Sequence, residues 1–187
     1  MGVVLAGGAS RRMGCPKAGL RHPSGRTLLA EAVHRLRPWT RLQVVAGRPA
    51  GVVTSGALPV VADPPGLRGP LAGLARAAQG FPAAYYLVLA VDLPWARPER
   101  LVAAARRQPG RAAVARMPGG QWQPLAGLYP ARRVRAALPA LRRSGRRVMP
   151  WALAETPLAV DGPWWANINT PEEAAACLAG AVAGEWS

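Results

Sequence analysis

"AYYLVLAVD", residues 84–92, decides the fold. Its apolar side chains run unbroken to Asp92, where a strand exposed on one face would alternate apolar with polar. A continuous apolar run marks a strand covered on both faces, as in a parallel sheet sandwiched by helices. Upstream stand three similar runs, residues 2–6 ("GVVLA"), 42–47 ("LQVVAG") and 58–63 ("LPVVAD"), each ended by glycine or proline-rich sequence. Downstream, 111–116 ("RAAVAR") and 123–130 ("QPLAGLYP") predict two more strands. Helices are expected between them. Leu28, Leu29, Ala32, Val33 and Leu36 form one helical stripe over 26–37, and 71–79, 97–107, 131–143, 146–154 and 171–182 follow. Thr170 can cap the last helix, Pro171 opens it, and Glu172 and Glu173 sit at its positive dipole end. Strands alternating with helices predict an open α/β domain with a mostly parallel sheet. Its functional loops belong at the carboxyl ends of the strands. That places residues 7–17, Asp63 and Asp92 on one edge.

The bulk properties agree with one compact unit. The chain has 187 residues, half of them apolar, and residues 1–187 are expected to form a single domain. Its alanine, glycine, proline and arginine content has the stamp of a genome-wide bias, which accounts for much of the arginine-for-lysine exchange. The net charge is +15. Arginine pairs of this kind serve as solvated helix faces or as a field that attracts anions. Dispersed tryptophans offer no alternating basic and aromatic platform, so nucleic acid is not an expected partner. Two cysteines at opposite ends of the chain make no disulfide framework. The longest apolar run is too short to span a bilayer, and no basic segment precedes the first one. A soluble cytoplasmic protein without membrane contact is expected.

Between the first strand and the first helix lies "LAGGASRRMGCPKAGL", residues 5–20. It matches neither the dinucleotide loop G-x-G-x-x-G nor the P-loop. It still has the ingredients of a phosphate cradle. Gly7 and Gly8 allow close main-chain approach, successive N–H groups can form an anion nest, and Arg11, Arg12 and Lys17 supply charge. Lys17 is the one lysine among 24 basic residues. A compact ammonium on a flexible stem suits a moving charge at a reacting phosphorus better than a rigid guanidinium fork. The bland alternative is a lone exposed lysine.

Three aspartates occur, Asp63, Asp92 and Asp161. Asp92 emerges at the end of the strongest strand, where it either holds Mg²⁺ or caps the turn through "DLP". Asp63 is either a nucleotide contact or a turn cap before "PPG". The chain's two asparagines share "NINT", and an extended segment puts Asn167 and Asn169 on one side. Because Thr170 can already cap the helix, both are not needed there. His22 and His34 have no triad partners in sequence context and read as structural. Ser10 has no adjacent base.

These segments, in their order and spacing, resemble the molybdenum cofactor guanylyltransferases, whose N-terminal signature runs L-A-G-G-x-S/A-x-R-M-G-x-D-K. "VVAD", "RGPLAGL", "AVDLP", "QPLAGLYP", "GRRVM" and "NINTPEE" extend the likeness over nearly the whole chain. The resemblance implies a three-layer Rossmann-like nucleotidyltransferase fold. It implies GTP contacts from Leu5, Ala6, Gly7, Lys17 and Asp63, with Gly8 alongside. Arg12 corresponds to the reactive-loop arginine and Gly14 to the last loop glycine. Gly69, Pro70, Leu71 and Gly73 correspond to a turn near base and ribose, Asp92 to the Mg²⁺ ligand, and Asn167 and Asn169 to contacts with the pterin. Catalysis would fall to Arg12, Lys17 and Asp92.

The implied reaction moves GMP from GTP to phosphorylated molybdopterin and releases pyrophosphate. Gly7 lacks a methyl that the cytidylyl relatives' L-A-A-G keeps, which suggests room for a purine. Three positions depart from the pattern: Pro16 stands where an acid is usual, Gly47 where asparagine is frequent, and Gln123 where His-Pro is common. The alternatives are a cytidylyl- or other nucleotidyltransferase with another phosphorylated acceptor, or a non-catalytic adaptor for GTP or cofactor. A monomer is expected, with recipient molybdoenzymes or their chaperones as partners.

Overall fold

The computed structural model describes residues 1–7, 13–47, 58–62, 70–144 and 157–179; for 70–71 and 139–144 only the backbone is described. The described strands are β1 (Gly2–Leu5), β2 (Gln43–Ala46), β3 (Val60–Val61), β4 (Tyr85–Ala90), β5 (Ala113–Arg116), β6 (Trp122–Pro130) and β7 (Leu158–Asp161). The described α-helices are α1 (Leu28–Leu36), α2 (Pro70–Gly80), α3 (Pro98–Arg107), α4 (Ala131–Ser144) and α5 (Pro171–Ala179). The strands form one seven-stranded sheet in the order β3-β2-β1-β4-β6-β5-β7.

The expected β4 is the sheet's centre. It lies parallel to β1 on one side and antiparallel to β6 on the other, with Leu5 paired to Ala90. Residues 86–90 are all buried, which is why the sequence carries no alternation there. β1, β2 and β3 are parallel, as are β5 and β7, so β6 alone runs against its neighbours. β7 was not expected from the sequence. Four residues, bounded by Pro157 and Gly162, give too short a pattern to recognise, and their strand character comes from pairing with β5. The expected strand over 58–63 is two residues long at the sheet edge. The expected helix over 146–154 lies outside the described residues. No described helix is long and apolar enough to cross a membrane.

Helix starts follow local chemistry. Thr27 caps α1 by accepting from the Ala30 N–H (3.2 Å). Pro98 opens α3 at its first turn. The strand order reverses between β1 and β4, because the chain moves outward through β2 and β3 and returns on the other side of β1. In open α/β sheets such a reversal leaves a crevice at the carboxyl ends of the flanking strands. Gly7 and Asp92 each lie two residues past those ends.

Candidate active site

The edge begins where β1 runs out. Leu5 and Ala6 are buried and present main chain only. The Ala6 N–H donates to the Ala46 carbonyl (2.8 Å), and the Leu5 carbonyl accepts from the Val91 N–H (3.1 Å). Gly7 is exposed, and a Cβ there would lie 3.3 Å from Gly47 Cα. The absent methyl therefore faces Gly47 main chain, a tight approach between the two loops. Gly47 has φ +89°, and a Cβ on it would sit 2.4 Å from Gly7 Cα. The departure to glycine at 47 thus has a packing cause.

Pro16, the second departure, precedes a single 3₁₀ turn, Lys17–Gly19, and its carbonyl accepts from the Gly19 N–H (3.0 Å). Ala18 buries into the main core and anchors that turn. Gly14 takes φ +67° at an exposed position. Gln123, the third departure, pairs with Ala115 across β5 and β6 at a register shift.

Lys17 Nζ donates to Asp92 Oδ2 and to Asn169 Oδ1, each at 3.1 Å. The Lys17 and Asp92 side chains keep 15% and 23% of their exposure, so the pair sits at a partly open rim. Asn169 reaches the rim because its neighbour is pinned. Ile168 is fully buried in a cluster with Met13, Leu28 and Ala174, and its N–H donates to the Asp92 carbonyl (2.9 Å). Asn167 and Asn169 flank it, both half-buried, as the period of two requires. Thr170 accepts from the Glu173 N–H (3.2 Å), and Glu173 in return accepts from the Asn169 N–H (2.6 Å). The Thr170 cap and the Glu173 bond to the residue before it together fix the start of α5.

Lys17, Asp92 and Asn169 are thus brought together from three distant segments. Pro70, Leu71 and Gly73 lie in α2 rather than in a turn. Gly73 is buried, and a Cβ on it would meet the Ala46 side chain at 2.6 Å, so it serves the approach of α2 to β2. Gly8, Arg12, Asp63 and Gly69 lie outside the described residues.

Sequence reasoning passed over Trp95, three residues after Asp92. Its indole N–H donates to the Cys177 carbonyl in α5 (3.1 Å), and its ring lies 4.5 Å from that of His22. Arg35 Cζ stands 5.9 Å from the same ring, and Arg35 Nη1 donates to the Ala96 carbonyl (2.9 Å). An aromatic residue directly after "DLP" was the available signal. His22 is buried, so its structural reading fits, while His34 is exposed. The Ser24 N–H donates to His22 Nδ1 (3.1 Å), so the neutral ring carries its proton on Nε2. Burial lowers the His22 pKa, with Arg35 and Arg26 in the same sense, against Glu31 and the Pro94 carbonyl. Burial would raise Glu31, but the Ser24 hydroxyl, Arg35, His22 and Arg26 outweigh it and hold its pKa below the ordinary range.

Among the described residues no group of three His, Cys, Asp or Glu could cage a metal. Asp92 offers a hard oxygen donor at an open rim. That chemistry fits Mg²⁺ sharing its coordination with phosphate oxygens and water, and does not fit a closed zinc site.

A reversed-order α/β sheet with a lysine paired to a carboxylate on its switch-point edge is the framework of a nucleotidyltransferase. The MobA-like NTP transferase domain model matches residues 2–156, and the chain belongs to that family. It is 37% identical over 191 residues to a molybdenum cofactor guanylyltransferase of Rhodopseudomonas palustris, covering 92% of this chain and 90% of that one. Among solved structures it is similar to molybdopterin-guanine dinucleotide biosynthesis protein A of Archaeoglobus fulgidus, with TM-score 0.74, 21% identity, and coverage of 98% and 100%. It is also similar to a Mycobacterium tuberculosis protein solved in complex with manganese, with TM-score 0.66, 20% identity, and coverage of 95% and 97%.

Proposed function

We propose that this protein transfers GMP from GTP to phosphorylated molybdopterin, giving the guanine dinucleotide form of the molybdenum cofactor and pyrophosphate. The observation that carries this reading is the meeting of Lys17, Asp92 and Asn169 within 3.1 Å contacts at the switch-point edge. A terminal phosphate oxygen of the acceptor attacks the α-phosphorus in line, and the bond to pyrophosphate breaks. That oxygen is already anionic, so no strong general base is required. The residues position the reactants and balance charge.

Lys17 holds the triphosphate, with Arg12 acting beside it on the α-phosphoryl group and the leaving pyrophosphate. Leu5, Ala6, Gly7, Gly8, Gly14 and Asp63 serve as nucleotide contacts, and Gly69, Pro70, Leu71 and Gly73 serve the base and ribose. Asp92 is the residue that holds Mg²⁺, which when bound neutralises phosphate charge. Asn167 and the amide NH₂ of Asn169 face the pterin acceptor. Residues 1–187 act as one domain, in keeping with α5 packing Ala174 against Met13 and Leu28. The protein works as a cytoplasmic monomer that hands its product to recipient molybdoenzymes or their chaperones.

Incubation with labelled GTP, Mg²⁺ and molybdopterin, followed by product identification, tests the reading. The guanine dinucleotide and pyrophosphate are expected in equal amounts, with CTP and ATP competing poorly. A clear CTP preference would move the protein to the cytidylyl branch, and nucleotide binding without pyrophosphate release would make it an adaptor. Lys17→Ala and Asp92→Ala should each lower turnover on the order of 10²–10³-fold.

A further inference from the structure

Asp92 has one carboxylate, and Lys17 is already on it. The ammonium lies 3.1 Å from Oδ2 and donates as well to Asn169 Oδ1 at the same distance. An ammonium has only donors, so the Asn169 amide must present its oxygen to Lys17 and its NH₂ elsewhere. That oxygen is itself placed by the burial of Ile168 and by the Asn169 N–H bond to Glu173. The hold on Lys17 is therefore built into the fold rather than being a chance surface pairing.

A divalent cation and an ammonium on the same carboxylate repel each other, strongly at a partly desolvated rim. Among the described residues no group of three carboxylate, imidazole or thiol side chains forms that could hold the cation and relieve that conflict. We propose that Lys17 is the resting counter-ion of Asp92, kept there by Asn169 as a positioning residue, and that Lys17 must leave before a divalent cation can be held. Lys17 then becomes available to the triphosphate that arrives with the cation. Lysine suits this exchange better than arginine: it is a point charge on a flexible stem, and it gives up one oxygen without breaking a two-bond fork. In this chain of arginines, position 17 is where such mobility is needed. The inference rests on the reading of Asp92 as the cation ligand, but needs neither GTP nor a pterin.

The test uses the full chain without nucleotide or acceptor. Mn²⁺ binding is measured from the loss of its free electron-paramagnetic signal. Lys17→Met should bind Mn²⁺ at least tenfold more tightly than wild type, and Asn169→Ala severalfold more tightly. Adding Asp92→Asn to Lys17→Met should abolish the gain. A second readout does not depend on the Lys17 variant folding. Because the chain has one lysine, a ¹³Cε-lysine label gives a single side-chain signal. Saturating Mg²⁺ should shift that signal in wild type and not in Asp92→Asn. Asn169→Ala should move the metal-free signal part of the way toward the position that saturating Mg²⁺ gives in wild type; a shift in another direction would count against Asn169 as the residue that holds Lys17 on Asp92. Equal or weaker Mn²⁺ binding by Lys17→Met, or a lysine signal indifferent to Mg²⁺, would overturn the exchange. Absence of GMP transfer with the metal results intact would instead count against the proposed reaction alone.

Discussion

Gly47 and Gly14 both take positive φ, at +89° and +67°, yet they answer to different causes. A Cβ on Gly14 meets nothing within 4 Å, whereas one on Gly47 strikes Gly7 Cα at 2.4 Å. Gly14→Ala should therefore cost only the left-handed penalty, about 1–2 kcal/mol. Gly47→Ala carries the same penalty plus a backbone collision, and should cost distinctly more. Denaturant midpoints of the two variants measure the difference, and equal losses would mean that β1 and β2 can part without consequence. This contact could not be read from the sequence. "LAGG" and "VVAG" each announce a turn, but nothing in either says that the two turns touch. Lys17 was legible as an exception among arginines, and Asp92 as the end of a buried strand. Their pairing was not, because it depends on how far β1 and β4 extend before their loops begin.

At the scale of elements, the segment 167–169 depends on one side chain. Ile168 is fully buried among Met13, Leu28 and Ala174, and so joins the first loop, α1 and α5. Ile168→Ala should cost about 2–5 kcal/mol of stability. It should also lower turnover in the molecules that remain folded, since Asn169 is placed through this residue. Calorimetry and turnover measured well below the melting midpoint separate the two effects, and unchanged turnover would mean that Asn169 is held by its cap alone. By contrast, the bidentate Arg116–Asp161 pair across β5 and β7, at 2.6 and 2.9 Å, is exposed to solvent screening and adds little to stability. Strong apolar periodicity made β1, β4 and α1 readable in advance. β7 and the direction of β6 were not, since both are set by which neighbour a strand finds rather than by its own residues. The arginine-rich helices also turn out to have structural employment: Arg97 and Arg100 stack within 5.1 and 5.0 Å of Trp164, and Arg132 donates to the Gly110 carbonyl.

Across the whole molecule, one buried network links the far side of α1 to the loop that carries Asp92. Glu31 accepts from the Ser24 hydroxyl at 2.9 Å and stands 2.9 Å from Arg35 Nε, while the His22 ring lies tilted against that of Trp95. Its two titrating members respond to acid in the same direction. The folded pKa of His22 lies below its ordinary 6.5, so as pH falls through that value the unfolded chain takes up the proton first, and stability drops until the folded pKa is passed. Glu31 is held below its ordinary 4.5, so its contribution is complete above that value and fades as pH falls through the lowered one. The melting midpoint should therefore decline in two stages, first below about pH 6.5 and again below about 4.5. Each kcal/mol lost in a chain of this size lowers it by about 2–4 °C. His22→Asn keeps an acceptor for the Ser24 N–H and removes the titration. Its melting midpoint between pH 7.5 and 5.5 should be flatter than that of wild type, with the lower stage preserved. Glu31→Gln should do the reverse. A wild-type midpoint level across pH 7.5–5.5, or a His22→Asn slope identical to it, would show that the buried ring is not what couples this network to acid.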